Sequence, residues 1–122
     1  MLPEELADDF VEPFHHYSKE CYRPHIQEHF DEDEIEDDIT KFPRNINTVI
    51  WYQVGQHDGD NWILVGRLES GKYFYFNAWC DYTGFDCQSG IDLYLSNTKI
   101  DLYTYCVSEY DRNLMGVTVP KN

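Results

Sequence analysis

The feature that most constrains the fold is a change to a two-residue period in the second half of the chain, from Asn47 onward. Together with enrichment in β-branched and aromatic residues, it marks four segments: 49–54, 62–68, 72–80 and 91–95. In the third segment, for example, Phe74 and Phe76 alternate with Tyr73 and Tyr75. This period is typical of β-strands, and the short connection at 70–71 (Ser-Gly) is typical of a hairpin. The sequence therefore predicts an antiparallel meander of about four strands.

The negative charge of the chain is concentrated in its first third. The 122 residues carry a net charge of −14, and residues 1–41, with 14 acids and three bases, hold −11 of it. Such a surface repels a phosphate backbone, so direct nucleic-acid binding is not expected. The opening ten residues are acidic where a signal peptide is basic and then apolar, and no apolar run has the length of a membrane span. We expect a soluble, non-secreted protein that does not bind membranes.

Helices are predicted in this acidic third. Pro3, followed by two glutamates, is a favourable helix start, and Leu6 and Phe10 share one face of such a helix. Pro13 is expected to interrupt the pattern, and a second helix is expected to begin at Pro24. The apolar positions of this second region, which need not form one unbroken helix, are Ile26, Phe30, Ile35, Ile39 and Phe42.

A single C-terminal helix is predicted to cover the open face of the sheet. Ser96 or Asn97 can cap its start and Gly116 suits its end, while residues 117–119 could add a short edge strand. Its apolar stripe consists of Ile100, Tyr103, Val107, Tyr110 and Leu114. The expected architecture is one α+β domain over residues 1–122, with an acidic helical segment at 1–41 and the sheet core and covering helix at 42–122.

The loop between the third and fourth strands concentrates polar, aromatic and thiol groups. Its candidate ligand or partner residues are Asp81, Tyr82, Thr83, Gly84, Phe85, Asp86, Cys87 and Gln88. One interpretation is a structural turn in which Gly84 supplies a positive φ and the carboxylates accept amide hydrogen bonds. The other is the rim of a pocket, because binding groups often lie on loops held by a rigid scaffold. The six residues between Cys80 and Cys87 do not match common zinc spacing, and free thiols are expected.

A run of acids before the first strand is the second candidate site. The predicted docking surface consists of Glu28, Asp31, Glu32, Asp33, Glu34, Glu36, Asp37 and Asp38. It can simply solubilise the protein, or it can bind a basic partner such as a Lys/Arg-rich tail. Calcium binding by an EF-hand loop is not expected, because Glu36 occupies the position that requires glycine.

Two histidines in the same region match an inverted zinc-protease pattern. His25 and His29 flank Glu28 at the required spacing. Pro24 directly precedes the pattern and no third ligand can be identified, so neither a metal site nor a cofactor is predicted.

The Cys-Asp-Tyr-Thr-Gly-Phe-Asp-Cys-Gln segment at 80–88, together with the strands at 62–65 and 73–76, resembles an uncharacterised family of short proteins from phages, bacteria and large DNA viruses. The size and acidic N-terminal segment are most similar to members from giant viruses of the marseillevirus type. This resemblance covers residues 49–110. It implies an intracellular viral setting, in the host cytoplasm or nucleus during infection or packaged in the virion, and contacts with host or viral macromolecules.

Three functional hypotheses follow. The first is a non-enzymatic viral interaction module whose acidic surface binds a basic host or viral protein. The second is a small ligand-binding or enzymatic domain that uses Asp81, Asp86 and Cys87, with His57, around a pocket. The third is a homodimeric virion or scaffold component.

Overall fold

The computed structural model describes Leu6 and residues 8–16, 32–56, 59–81 and 88–118. The helices and strands are α1 (Val11–His16), α2 (Glu32–Lys41), β1 (Ile46–Gln53), β2 (Trp62–Leu68), β3 (Tyr73–Asp81), β4 (Gln88–Ser96), α3 (Lys99–Asp101), a π-helical turn (Leu102–Cys106) and α4 (Glu109–Met115). Within these ranges no helix combines the length and apolarity needed to cross a membrane.

The four strands form one antiparallel sheet in the order β1-β2-β3-β4. The meander predicted from the two-residue period is confirmed, and so is the α+β class. Gly71 adopts a φ of 96° in the turn between β2 and β3, a conformation that favours glycine. The amide of Leu68 donates to the carbonyl of Lys72 at 2.8 Å and closes this turn.

The N-terminal helices pack on one face of the sheet. Phe42 lies with its ring centroid 5.3 Å from Phe74 and 5.4 Å from Phe76. Phe14 of α1 lies 5.4 Å from Phe76. The other buried members of this layer are Phe10, Ile35, Ile39, Ile46, Trp62, Leu64, Leu68, Ala78, Ile91, Leu93 and Leu95. The stripe predicted at Ile35, Ile39 and Phe42 is therefore confirmed as core.

The expected interruption at Pro13 was wrong, because Pro13 lies inside α1. It is the third residue of that helix, where the amide that proline lacks would have no partner within the helix. The predicted helix starts at Pro3 and Pro24, with the positions Ile26 and Phe30, lie outside the described residues.

The C-terminal segment covers the opposite face, where Leu102, Tyr103, Cys106 and Val107 pack on Ile63, Val65 and Tyr75. It is not the single helix that was predicted. Thr98, not Ser96 or Asn97, caps α3, and the helix is broken at Val107, whose φ of −79° and ψ of 131° are extended. Ser108 then caps α4, which ends at Gly116 with a φ of 72°, as predicted for that glycine.

This break corrects the predicted apolar stripe. Tyr103 and Val107 are buried, but Ile100, Tyr110 and Leu114 are exposed. The physical reason is that the π-helical turn and the extended Val107 change the rotation between the two helical pieces, so a constant spacing no longer follows one face. The edge strand expected after Gly116 is absent at residues 117–118, and residue 119 lies outside the described chain.

Candidate functional site

The acidic helix α2 is placed by its apolar side. Ile35 and Ile39 are buried against the sheet, which turns most of the intervening acids outward. The exposed carboxylates are those of Asp33, Glu34, Glu36 and Asp37. Asp37 also lies 2.9 Å from Lys41, and the hydrogen bond and charge of Asp37 raise the pKa of that lysine. The predicted acidic surface is therefore present over this part of the helix.

Asp38 departs from the prediction of an exposed docking residue. Its side chain is buried, and its Oδ2 lies 2.9 Å from the Nζ of Lys72, which is also buried. The hydroxyl of Ser70 donates to the same oxygen at 3.0 Å. The carbonyl of Asp38 accepts a hydrogen bond from the Nδ2 of Asn45 at 2.9 Å. Because a buried carboxylate requires a compensating charge, Asp38 serves to hold α2 on the β2–β3 turn and is not available to a partner.

A cleft of about 330 Å³ lies above this ion pair. It is lined by Glu34, Asp37, Asp38, Ser70, Gly71, Lys72 and Asn97. Lys72 lies 2.9 Å from Asp38 and 3.9 Å from Glu34, so the one lysine on the wall is already engaged by carboxylates. The lining has three carboxylates against this one lysine, and Asp37 is also paired with Lys41 outside the cleft. The remaining negative charge of the lining is suited to a cationic group.

Sequence reasoning missed the residues that complete this cleft. Lys72, Ser70 and Asn97 come from the β2–β3 turn and from the residue after β4, far from α2 along the chain. The only local signal was a lysine directly before a strand whose residues are mostly buried. A buried lysine in such a place predicts a nearby carboxylate, although not which one.

The structure describes only some of the remaining predicted site residues. Glu32 is the first residue of α2, and Asp81 pairs with Gln88 where β3 and β4 meet their connecting loop. The positions outside the described residues are His25, Glu28, His29, Asp31, His57, Tyr82, Thr83, Gly84, Phe85, Asp86 and Cys87. The ligand-pocket hypothesis for the loop thus stays a prediction. Among the described residues, Cys106 is a buried cysteine that is not part of a disulfide.

No group of three or more histidine, cysteine or acidic side chains is positioned to hold a metal ion within the ranges that the structure describes.

A second polar cluster, not anticipated from the sequence, lies between the sheet and α4. The Tyr75 hydroxyl donates a hydrogen bond to Oδ2 of the buried Asp111. The Nδ2 of Asn77 lies 2.8 Å from that hydroxyl and 3.1 Å from the same carboxylate oxygen. Asn61 donates to Oδ1 of Asn77 at 2.9 Å, and the ring of Tyr94 stacks on Tyr75 at 5.1 Å. The network joins α4 to β3, so we interpret it as structural.

The tyrosine of this network gives a prediction for alkaline pH. Burial raises the pKa of Tyr75 far above its usual value, and the hydrogen bond to Asp111 raises it further. An unfolded tyrosine loses its proton near pH 10, whereas folded Tyr75 retains it. Its contribution to stability is therefore complete below about pH 10 and falls by about 1.4 kcal/mol per pH unit above it.

Urea unfolding of the wild type and of Tyr75→Phe between about pH 10 and 11.5 measures this contribution. The free energy of unfolding should decline with pH less steeply in the variant than in the wild type, by about 1.4 kcal/mol per pH unit. Equal slopes in the two proteins would show that Tyr75 ionises alike in the folded and unfolded states.

Comparisons of the chain with protein-family models, with curated proteins and with solved structures find no match.

Proposed function

We propose that this protein is a non-enzymatic interaction module that binds a Lys/Arg-rich segment of another protein along the exposed face of α2. The observation that supports this most directly is the position of Glu34 and Asp37. Their side chains are 67% and 59% exposed, and both line the cleft above the Asp38–Lys72 pair. The helix thus offers carboxylates on a rigid element beside a recess that can admit a cationic side chain.

The residues that hold α2 on the sheet are different from those that the proposal assigns to binding. Asp38 and Lys72 are buried and hold α2 on the sheet. Glu34 and Asp37 do not contribute to the apolar core and can be changed without opening it. The partner in this proposal is a basic host or viral protein met inside an infected cell, in accordance with the family resemblance. Long-range attraction to such a partner would raise the association rate more than the final affinity.

Neutralising the two carboxylates of the cleft rim tests this proposal. A fluorescent synthetic peptide of alternating Lys and Ser is titrated with the full chain and with Glu34→Gln/Asp37→Asn, using anisotropy. An exposed ion pair contributes about 0.5 kcal/mol, so loss of two should weaken binding about fivefold. Raising the salt concentration from about 50 to 150 mM should lower the affinity of the wild type for the peptide. The difference in affinity between the wild type and the variant should become smaller.

A charge-matched variant separates a specific surface from overall charge. Asp60→Asn/Glu109→Gln removes the same two charges at exposed positions in the β1–β2 loop and in α4. It should bind the peptide within about twofold of the wild type. Equal weakening by both double variants would mean that the peptide responds only to net charge, and the proposal for α2 would then fail.

A further inference from the structure

Strand β1 carries exposed apolar side chains on a stretch of chain without charge. Residues Ile46–Gln53 have the sequence INTVIWYQ, and Val54 follows, so nine successive residues carry no charge in a chain of net charge −14. Ile50, Tyr52 and Val54 are 38%, 47% and 40% exposed. Among the described strands β1 pairs only with β2, so none of them occupies its other edge, where a further strand can add.

We infer that this edge pairs with β1 of a second copy of the chain, antiparallel and about a two-fold axis at Tyr52. That register places Tyr52 beside its own copy and Ile50 beside Val54 of the partner. Alternate exposed apolar residues of one strand then meet those of the other. The two sheets would become one continuous eight-stranded sheet, eight being twice the four strands of one copy.

Charge favours a second copy as the occupant. An uncharged edge offers nothing to a strongly basic or acidic strand, but it is a surface at which two chains of −14 can meet without burying like charges. The acidic cleft lies at the other end of β1, because Asn45 contacts Asp38 there. Seven residues of strand separate Asn45 from Tyr52, about 23 Å, which exceeds the screening length of about 8 Å at physiological salt.

A bulge limits how far the pairing extends. The register between β1 and β2 shifts twice, between Ile46 and Thr48 and again between Val49 and Trp51, so Ile50 has no direct partner residue on β2. Bulges bend a strand and shorten its usable edge. Backbone pairing is therefore limited to residues 50–54, the span that is symmetric about Tyr52, and such a small interface should dissociate at about 10–100 μM.

Sedimentation equilibrium of the full chain from about 1 to 300 μM tests the inference. The weight-average mass should rise from 14.5 kDa towards twice that value. Tyr52→Lys should remain monomeric over the whole range, because two ammonium groups would face each other at the axis. Tyr110→Lys makes the same change at a side chain that is 70% exposed on α4, and it should associate like the wild type. Circular dichroism confirms that each variant is folded.

A mixing experiment tests the register itself. Tyr52→Lys and Tyr52→Glu should each be monomeric alone, whereas an equimolar mixture should form a heterodimer, because the opposite charges meet only if position 52 faces its own copy. A monomeric wild type at the highest concentration would overturn the inference. So would a Tyr52→Lys protein that still dimerises, equal loss in Tyr110→Lys, or a mixture that stays monomeric. None of these results depends on whether a basic peptide binds α2.

Discussion

Replacing Lys72 by methionine should lower the free energy of unfolding by about 3–5 kcal/mol. Methionine retains most of the aliphatic length of lysine but leaves the buried carboxylate of Asp38 without its cation at 2.9 Å. The Ser70 hydroxyl and the Asn45 amide remain near Asp38, but neither carries a charge. Chemical denaturation of the wild type and of Lys72→Met at neutral pH measures the difference.

The chain contains a matched control for this prediction. Lys41 and Asp37 lie at the same 2.9 Å separation, but both side chains are more than half exposed. Lys41→Met should therefore leave the unfolding free energy almost unchanged. If both lysine variants lose the same small amount, water reaches Asp38 and the Asp38–Lys72 pair is not buried in solution.

A double variant distinguishes the value of the pair from the cost of leaving one member alone. Asp38→Leu/Lys72→Met removes both charges, and apolar replacements of a buried pair are often neutral or stabilising by about 1–4 kcal/mol. The double variant should thus be more stable than Lys72→Met. If the double variant is less stable than Lys72→Met, the ion pair itself contributes strongly to the position of α2.

The sheet was predictable because its signal is local. Each strand shows its period within a few residues, and the Ser70-Gly71 turn lies directly between β2 and β3. The core stripe of α2 was predictable for the same reason, since Ile35, Ile39 and Phe42 repeat at helical spacing. Burial against the sheet then follows from the requirement that both apolar surfaces leave water.

The site was less predictable because its contacts are distant in sequence. Lys72 lies 34 residues from Asp38, and Asp111 lies 36 residues from Tyr75. Composition places Asp38 in a uniformly acidic run, and only the fold distinguishes it from Asp37. The C-terminal break was missed because the stripe from Ile100 to Leu114 fits an unbroken helix, whereas Ser108 starts a new one.

Replacing Asp111 by leucine should lower the free energy of unfolding by about 3 kcal/mol. Asp111 is buried, and its carboxylate accepts hydrogen bonds from the Tyr75 hydroxyl and the Asn77 amide. A leucine would leave the Tyr75 hydroxyl without its acceptor in an apolar environment, where an unsatisfied group costs about 1–3 kcal/mol. It would also remove the charged acceptor of the Asn77 amide, which keeps its 2.8 Å contact with that hydroxyl. Denaturant unfolding measures the loss.

A loss of stability in Asp111→Leu could also come from the helix dipole, because Asp111 lies in the first turn of α4. The neighbouring Glu109 tests this second explanation. Glu109 lies in the same turn but is exposed, and an acid at a helix start contributes only about 0.3–1 kcal/mol through the helix dipole. Glu109→Leu should therefore cost much less than Asp111→Leu. In a double-mutant cycle, Tyr75→Phe should cost less in the Asp111→Leu background than in the wild type, because the hydroxyl has already lost its acceptor. Equal losses from Glu109→Leu and Asp111→Leu, with no coupling to Tyr75, would mean that α4 is held by its apolar contacts and helix start alone.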